Sequence, residues 1–133
     1  MSEGLMRAKH IVVIDDDADV RDVIESLLEN AGYRVTGFAN ATAMRAAVPL
    51  GGPIDLLVLD GTMRGETRAA ITEFVKRARL PVVMISGDPE SMKTAAEQRL
   101  QLLCKPFRGA ELCKAVETGL ASGELGRRVQ GPV

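Results

Sequence analysis

Several side chains that could take part in binding or catalysis stand directly after short apolar runs. Three acids at 15–17 follow one run, and Asp60, Ser86 and Lys105 each follow another. Two carboxylates about 5 Å apart repel by roughly 3 kcal/mol at an effective dielectric constant of about 20, so a cluster of acids requires a cation or partial protonation. An acidic, all-oxygen set without cysteine suits a hard ion such as Mg2+. The pattern therefore predicts a divalent-cation site.

The same residues suit phosphoryl chemistry. A divalent ion beside carboxylates lets a phosphoryl group approach despite its negative charge. Lys105 and Ser86 could then hold phosphoryl oxygens through a charge-assisted and a neutral hydrogen bond. The carboxylate of Asp60 can act as a nucleophile and form an acyl phosphate.

The elements that must position these residues are short strands alternating with helices. Continuous apolar runs indicate strands covered on both faces of a parallel sheet. The four such runs are His10–Ile14, Ile54–Leu59, Pro81–Ile85 and Gln101–Cys104, and a weaker, alternating run is Tyr33–Phe38. Five β/α repeats with right-handed crossovers are predicted. Because the carboxyl ends of parallel strands share one edge, where ligands bind, the polar residues should converge there.

Apolar residues at helical spacing predict three amphipathic helices. Their apolar positions are Val20, Val23, Ile24, Leu27 and Leu28; Ala70, Ile71, Phe74, Val75 and Ala78; and Leu112, Ala115, Val116, Gly119 and Leu120. Weaker helices are predicted at 41–48 and 89–99. Asp17 and Asp19 are interpreted as helix-start acids. We expect an N-terminal extension at 1–8, one domain at 9–121 and a flexible C-terminal tail at 122–133.

The composition is that of one folded domain. The chain has 133 residues, with 46% apolar and 26% charged. A net charge of −1 and an aromatic content of one Tyr and three Phe argue against nucleic-acid binding. No apolar run approaches the ~20 residues of a membrane span, and the N-terminus lacks a signal-peptide core. We expect a cytoplasmic protein whose two cysteines, Cys104 and Cys113, are small buried side chains.

The segments around the polar residues carry a family resemblance. They are Ile11–Asp17, Leu57–Gly65, Val82–Gly87 and Cys104–Phe107. In this order, at strand ends, they resemble the response-regulator receiver domain of two-component signalling over about Lys9 to Leu120. The resemblance implies a flavodoxin-like α/β fold, in which a five-stranded parallel sheet of order 2-1-3-4-5 carries helices on both faces.

The resemblance also implies a role for each polar residue. Asp60 matches the phosphoacceptor. Asp16 matches a direct Mg2+ ligand, together with Asp60 and the backbone carbonyl of Thr62, whereas Asp15 matches the acid that acts through a water molecule.

Two further residues match the phosphoryl-binding part of that family's site. Ser86 matches the switch hydroxyl that moves onto the phosphoryl group. Lys105 matches the lysine that pairs with it, and its peptide bond to Pro106 is cis in the family.

The function implied by the resemblance is a signalling switch. A histidine kinase or phosphotransfer protein would donate a phosphoryl group to Asp60 in a Mg2+-dependent step, and the output would be contact with a protein target not identified by the sequence, without nucleic acid or membrane. Such a protein is not an enzyme beyond its own phosphorylation and dephosphorylation. The alternative is a degenerate receiver that acts as a phosphate-independent interaction module.

Three features depart from the family pattern. Arg64 stands where the family usually has Pro, and Leu102 stands where it commonly has Tyr or Phe. The Asp60–Ser86 and Ser86–Lys105 intervals are also short, which predicts a trimmed helix at 89–99. Because Leu102 has no ring, output through rotation of an aromatic side chain is not expected.

Two other classes fit less well. Asp60-Gly61-Thr62 is similar to the first motif of haloacid-dehalogenase phosphatases, but that motif needs another Asp where Val58 stands. A dinucleotide-binding domain would need G-x-G-x-x-G after the first strand, and the acids at 15–17 would repel a pyrophosphate there.

Overall fold

A single parallel sheet forms the centre of the molecule. The computed structural model describes residues 8–51, 53–60, 66–87, 93 and 101–129. The strands are β1 (His10–Ile14), β2 (Arg34–Phe38), β3 (Leu56–Asp60), β4 (Val82–Ser86) and β5 (Gln101–Cys104). They pair in parallel in the order β2-β1-β3-β4-β5, which confirms the predicted fold class. The strand order reverses between β1 and β3.

Helices cover both faces of the sheet. They are α1 (Ala18–Asn30), α2 (Ala41–Gly51), α3 (Glu66–Ala78) and α4 (Gly109–Val129). Successive side chains of each strand enter opposite cores. One core joins Ile11, Val13 and their neighbours to α1 and α4. The other joins Val12, Ile14 and their neighbours to α2 and α3. Within the described ranges, no helix is long and apolar enough to cross a bilayer.

The ends of two helices follow from local hydrogen bonding. Asp17 caps α1, because its carboxylate accepts from the N–H groups of Asp19 (2.9 Å) and Val20 (3.2 Å). At the end of α3, the N–H of Leu80 donates to the carbonyl of Val75 at 3.2 Å. The residue between the helix and Leu80 is Arg79, with φ +54°, a left-handed conformation that favours glycine.

Helix α4 approaches the sheet closely at Gly119. A Cβ atom built there would lie 2.7 Å from Leu56 Cδ1 on β3. Leu56 is completely buried, so it has little room to move away. The absence of a side chain at this position therefore allows the helix to pack against the sheet.

Some expectations from the sequence differ from the structure. Val23 was expected on the buried face of α1 but is 57% exposed. It lies about 100° around the helix from the buried Ile24, so it is beyond the contact with the sheet. Helix α4 continues to Val129, which places helix inside the segment 122–133 expected to be a flexible tail.

The two cysteines also differ from expectation. Cys104 is exposed because it ends the edge strand β5 and has a strand on one side only. Cys113, on α4, is only partly buried. Most of the helix expected at 89–99, and residues 1–7 of the expected N-terminal extension, lie outside the described residues.

Candidate functional site

The strand register brings the predicted site residues to one edge of the sheet. Registered pairs near this edge are Ile14 with Leu59, Asp60 with Ile85, and Ser86 with Cys104. Asp15 therefore emerges beside Asp60, and Lys105 emerges one step beyond Ser86. The edge lies where the strand order reverses, the position at which open α/β sheets bind ligands.

Three carboxylates form the acidic part of the site. Asp15, Asp16 and Asp60 each offer an oxygen atom, and these atoms lie within 4.8 Å of one another. Asp15 and Asp60 are only 3% and 5% exposed, whereas Asp16 is exposed to solvent. An all-oxygen donor set with one open side fits a hard divalent ion, which keeps some water or phosphate ligands. These residues would hold Mg2+.

The backbone of the β1–α1 loop holds the Asp15 carboxylate in place. The Asp17 N–H donates to Asp15 Oδ1 at 2.8 Å. Burial raises the pKa of the Asp15 carboxyl, and the negative charges of Asp60 and Asp16 raise it further, whereas the Asp17 N–H and the charge of Lys105 lower it. The acidic cluster is thus electrostatically unfavourable without a cation.

Ser86 and Lys105 lie on the β4–β5 side of the same edge. Ser86 is completely buried, and its carbonyl accepts a hydrogen bond from the Lys105 N–H at 3.0 Å. The Lys105–Pro106 peptide bond is cis, as the resemblance implied. The charge of Lys105 lowers the pKa of the Asp15 carboxyl, so these two side chains interact electrostatically.

The structure describes only one of three further positions that the sequence analysis singled out. Thr62, whose carbonyl was predicted as a metal ligand, lies outside the described residues, as does Arg64. Leu102 is partly buried and packs against the core shared with α2 and α3. It acts there as a packing residue.

His10 lies at the opposite end of β1 from the acids. It is 5% exposed, and its ring bonds the Pro53 carbonyl through Nδ1 (3.1 Å) and Thr36 Oγ1 through Nε2 (2.8 Å). Because a carbonyl only accepts, Nδ1 is the donor in the first of these hydrogen bonds. Both ring nitrogens thus bind neighbouring segments, which indicates a structural role.

One residue of the site was missed by the sequence analysis. Arg21 Nη1 donates to the backbone carbonyl of Asp15 at 2.7 Å. A cation near the N-terminus of a helix is disfavoured by the helix dipole, but that position does not specify which acceptor the side chain binds.

Comparison with known proteins identifies the family. Residues 11–117 match the response regulator receiver domain. The chain is 32% identical over 123 residues to the transcriptional regulatory protein FixJ of Bradyrhizobium diazoefficiens, covering 86% of this chain and 58% of that protein. It is 33% identical over 121 residues to the DNA-binding transcriptional regulator NtrC of Rhizobium meliloti, covering 87% of this chain and 25% of that protein. The chain belongs to the receiver-domain family.

Solved structures share this fold. NtrX from Brucella abortus superposes with a TM-score of 0.81 at 30% identity, over 93% of this chain and 29% of that one. A receiver domain protein from Clostridium thermocellum superposes with a TM-score of 0.76 at 23% identity, over 88% and 98% of the two chains. Among the sequence relatives, the chain spans little more than half the length of FixJ and a quarter of the length of NtrC.

Proposed function

We propose that this receiver domain is a Mg2+-dependent phosphoacceptor switch, with Asp60 as the residue that is phosphorylated. The observation that carries the proposal is the convergence of Asp15, Asp16 and Asp60 oxygens within 4.8 Å, at the sheet edge shared with Ser86 and Lys105. This arrangement supports a nucleophilic carboxylate beside a cation site and beside groups that can hold phosphoryl oxygens.

The proposed reaction transfers one phosphoryl group. A carboxylate oxygen of Asp60 attacks the phosphorus of a phosphohistidine, the P–N bond breaks, and the acyl phosphate forms as the imidazole nitrogen recovers its lone pair and takes a proton from solvent. Lys105 and Ser86 would bind oxygens of the transferred group. When bound, Mg2+ would neutralise negative charge on the phosphoryl oxygens.

The partners and the extent of catalysis belong to the same proposal. The donor is a histidine kinase or a phosphotransfer protein, and the output is contact with another protein. The net charge of −1 supports a protein rather than a nucleic acid as the target. The chemistry of the domain itself is limited to its own phosphorylation and dephosphorylation, in the cytoplasm.

Intact-mass spectrometry tests the acceptor residue. The wild type is incubated with Mg2+ and acetyl phosphate, and one phosphoryl adduct is expected. Asp60→Asn and a chelator should each abolish it. Asp19→Asn, which removes an exposed acid of the first turn of α1, is the matched control and should keep it.

Two results would contradict the proposal. The first is the lack of an adduct on the wild type, which would favour a phosphate-independent interaction module. The second is an adduct that persists on Asp60→Asn, which would place the phosphoryl group on another residue.

A further inference from the structure

Arg21 reaches from α1 to the backbone of the acidic loop. Its Nη1 atom donates to the carbonyl oxygen of Asp15 at 2.7 Å, and its side chain is partly buried. This carbonyl belongs to the peptide group that joins Asp15 to Asp16. Because the donor is charged, the hydrogen bond is stronger than one between neutral groups. The guanidinium therefore restrains the rotation of the peptide that leads into Asp16.

The other polar groups of Asp15 are held by the backbone. Its N–H donates to the Phe38 carbonyl at 3.1 Å, and its Oδ1 accepts from the Asp17 N–H at 2.8 Å. Arg21 adds a side-chain contact to this set. Unlike these backbone partners, Arg21 can be replaced without changing the loop sequence.

We propose that Arg21 is a positioning residue for the cation site. By binding the Asp15 carbonyl, it holds the Asp15–Asp16 peptide in the orientation that directs both carboxylates toward Asp60. This inference rests on the proposed function, since it concerns the Mg2+ affinity of the same three carboxylates. Residues that orient metal ligands commonly change metal affinity by about 10–100-fold when they are mutated.

The direction in which Mg2+ affinity changes when Arg21 is replaced distinguishes a positioning role from a purely electrostatic one. Arg21 brings a positive charge against the Asp15 carbonyl, so removing it should leave cation binding unchanged or strengthen it if only electrostatics matters. If Arg21 orients the loop, the same change should weaken binding. A residue needed only for folding would lower the thermal midpoint of the metal-free protein without altering Mg2+ affinity of the folded protein.

Isothermal titration calorimetry of the metal-free full chain with MgCl2 tests the inference. Arg21→Met is expected to raise the dissociation constant about tenfold. Arg21→Gln, which keeps a polar side chain but lacks the reach of the guanidinium, should do the same and serves if Arg21→Met does not fold. Arg77→Met is the matched control, because Arg77 is exposed on α3 and pairs with Glu73. It should bind Mg2+ as the wild type does.

The outcomes distinguish this inference from the proposed function. Unchanged or tighter binding by folded Arg21→Met and Arg21→Gln, with normal binding by the wild type, would overturn only the role of Arg21. No Mg2+ binding by the wild type would overturn both.

Discussion

At the scale of single residues, Asp15 stores an electrostatic cost that metal binding can relieve. Burial, with the charges of Asp60 and Asp16, raises the pKa of its carboxyl above the ordinary value of 3.8. A folded-state pKa above the unfolded value means that the folded state binds the proton more tightly. The resulting stability is present below pH 3.8 and is lost as the pH rises through the folded-state pKa.

Asp15→Asn should therefore stabilise the metal-free protein at pH 7. The amide oxygen can still accept from the Asp17 N–H, while the buried charge is removed, so we expect the free energy of unfolding to rise. Urea denaturation in a chelator at pH 7 and at pH 3.5 measures the effect. The gain should be smaller at the lower pH, just below 3.8, where Asp15 is mostly protonated in both states.

Asp19→Asn provides the comparison for that experiment. It removes an exposed acid that interacts favourably with the N-terminus of α1 and should lower stability slightly. A destabilising effect of Asp15→Asn at pH 7 would show that the buried charge is not the dominant cost.

At the scale of elements, two substitutions near the end of α3 should change the free energy of unfolding in opposite directions. Arg79 adopts φ +54°, a conformation that costs a residue with a Cβ atom about 1 kcal/mol, so Arg79→Gly should raise the free energy of unfolding by about that amount. Arg77→Gly, two residues earlier inside the exposed face of the helix, should lower it by about 1 kcal/mol. Thermal or urea denaturation of both variants checks the prediction, and the same sign for both would contradict it.

The contact between α4 and β3 provides a second prediction at this scale. In Gly119→Ala the new Cβ would meet the buried Leu56 Cδ1, and overpacking costs about 1–3 kcal/mol, against a gain in helix propensity of at most about 1 kcal/mol. Net destabilisation is expected in urea denaturation. Leu56→Val should restore part of the loss in the double variant, and Thr118→Ala on the exposed face controls for helix propensity.

Elements were predictable where one physical constraint dominates. Strands buried on both faces need continuous apolar runs, so the positions of β1 and β4 could be predicted from such runs in the sequence. The convergence of Asp15, Asp60 and Lys105 followed because parallel strand ends share an edge. Val23 was misplaced since periodicity gives the direction of an apolar stripe but not the width of the surface that covers it.

Arg21 shows a different limit of sequence reasoning. Its role depends on the distance from a guanidinium to a backbone carbonyl, and that distance is set by the side-chain rotamer and the start of α1. Neither quantity is encoded in a local pattern of residue types. Asp17 was easier to anticipate as a helix-start acid, because its position next to the apolar periodicity of α1 is visible in the sequence.

At the scale of the whole molecule, cation binding should be linked to global stability. A ligand that binds only the folded state at ten times its dissociation constant adds about 1.4 kcal/mol, which raises the thermal midpoint by several degrees. Thermal unfolding with increasing MgCl2 measures this shift. Asp16→Asn, which removes an exposed carboxylate of the site, should reduce it, and Asp19→Asn should not. Equal shifts in all three proteins would indicate nonspecific binding.

The alternation of strand side chains between two cores has a consequence for evolution. Deleting one codon within β1 would exchange the residues that enter each core and move the acids out of line with Asp60. Adding a codon to a connection, such as the turn between α1 and β2, changes neither the core that each strand residue enters nor the alignment of the acids with Asp60. Lineages of this domain should therefore vary in length between elements while the number of residues in each central strand stays constant.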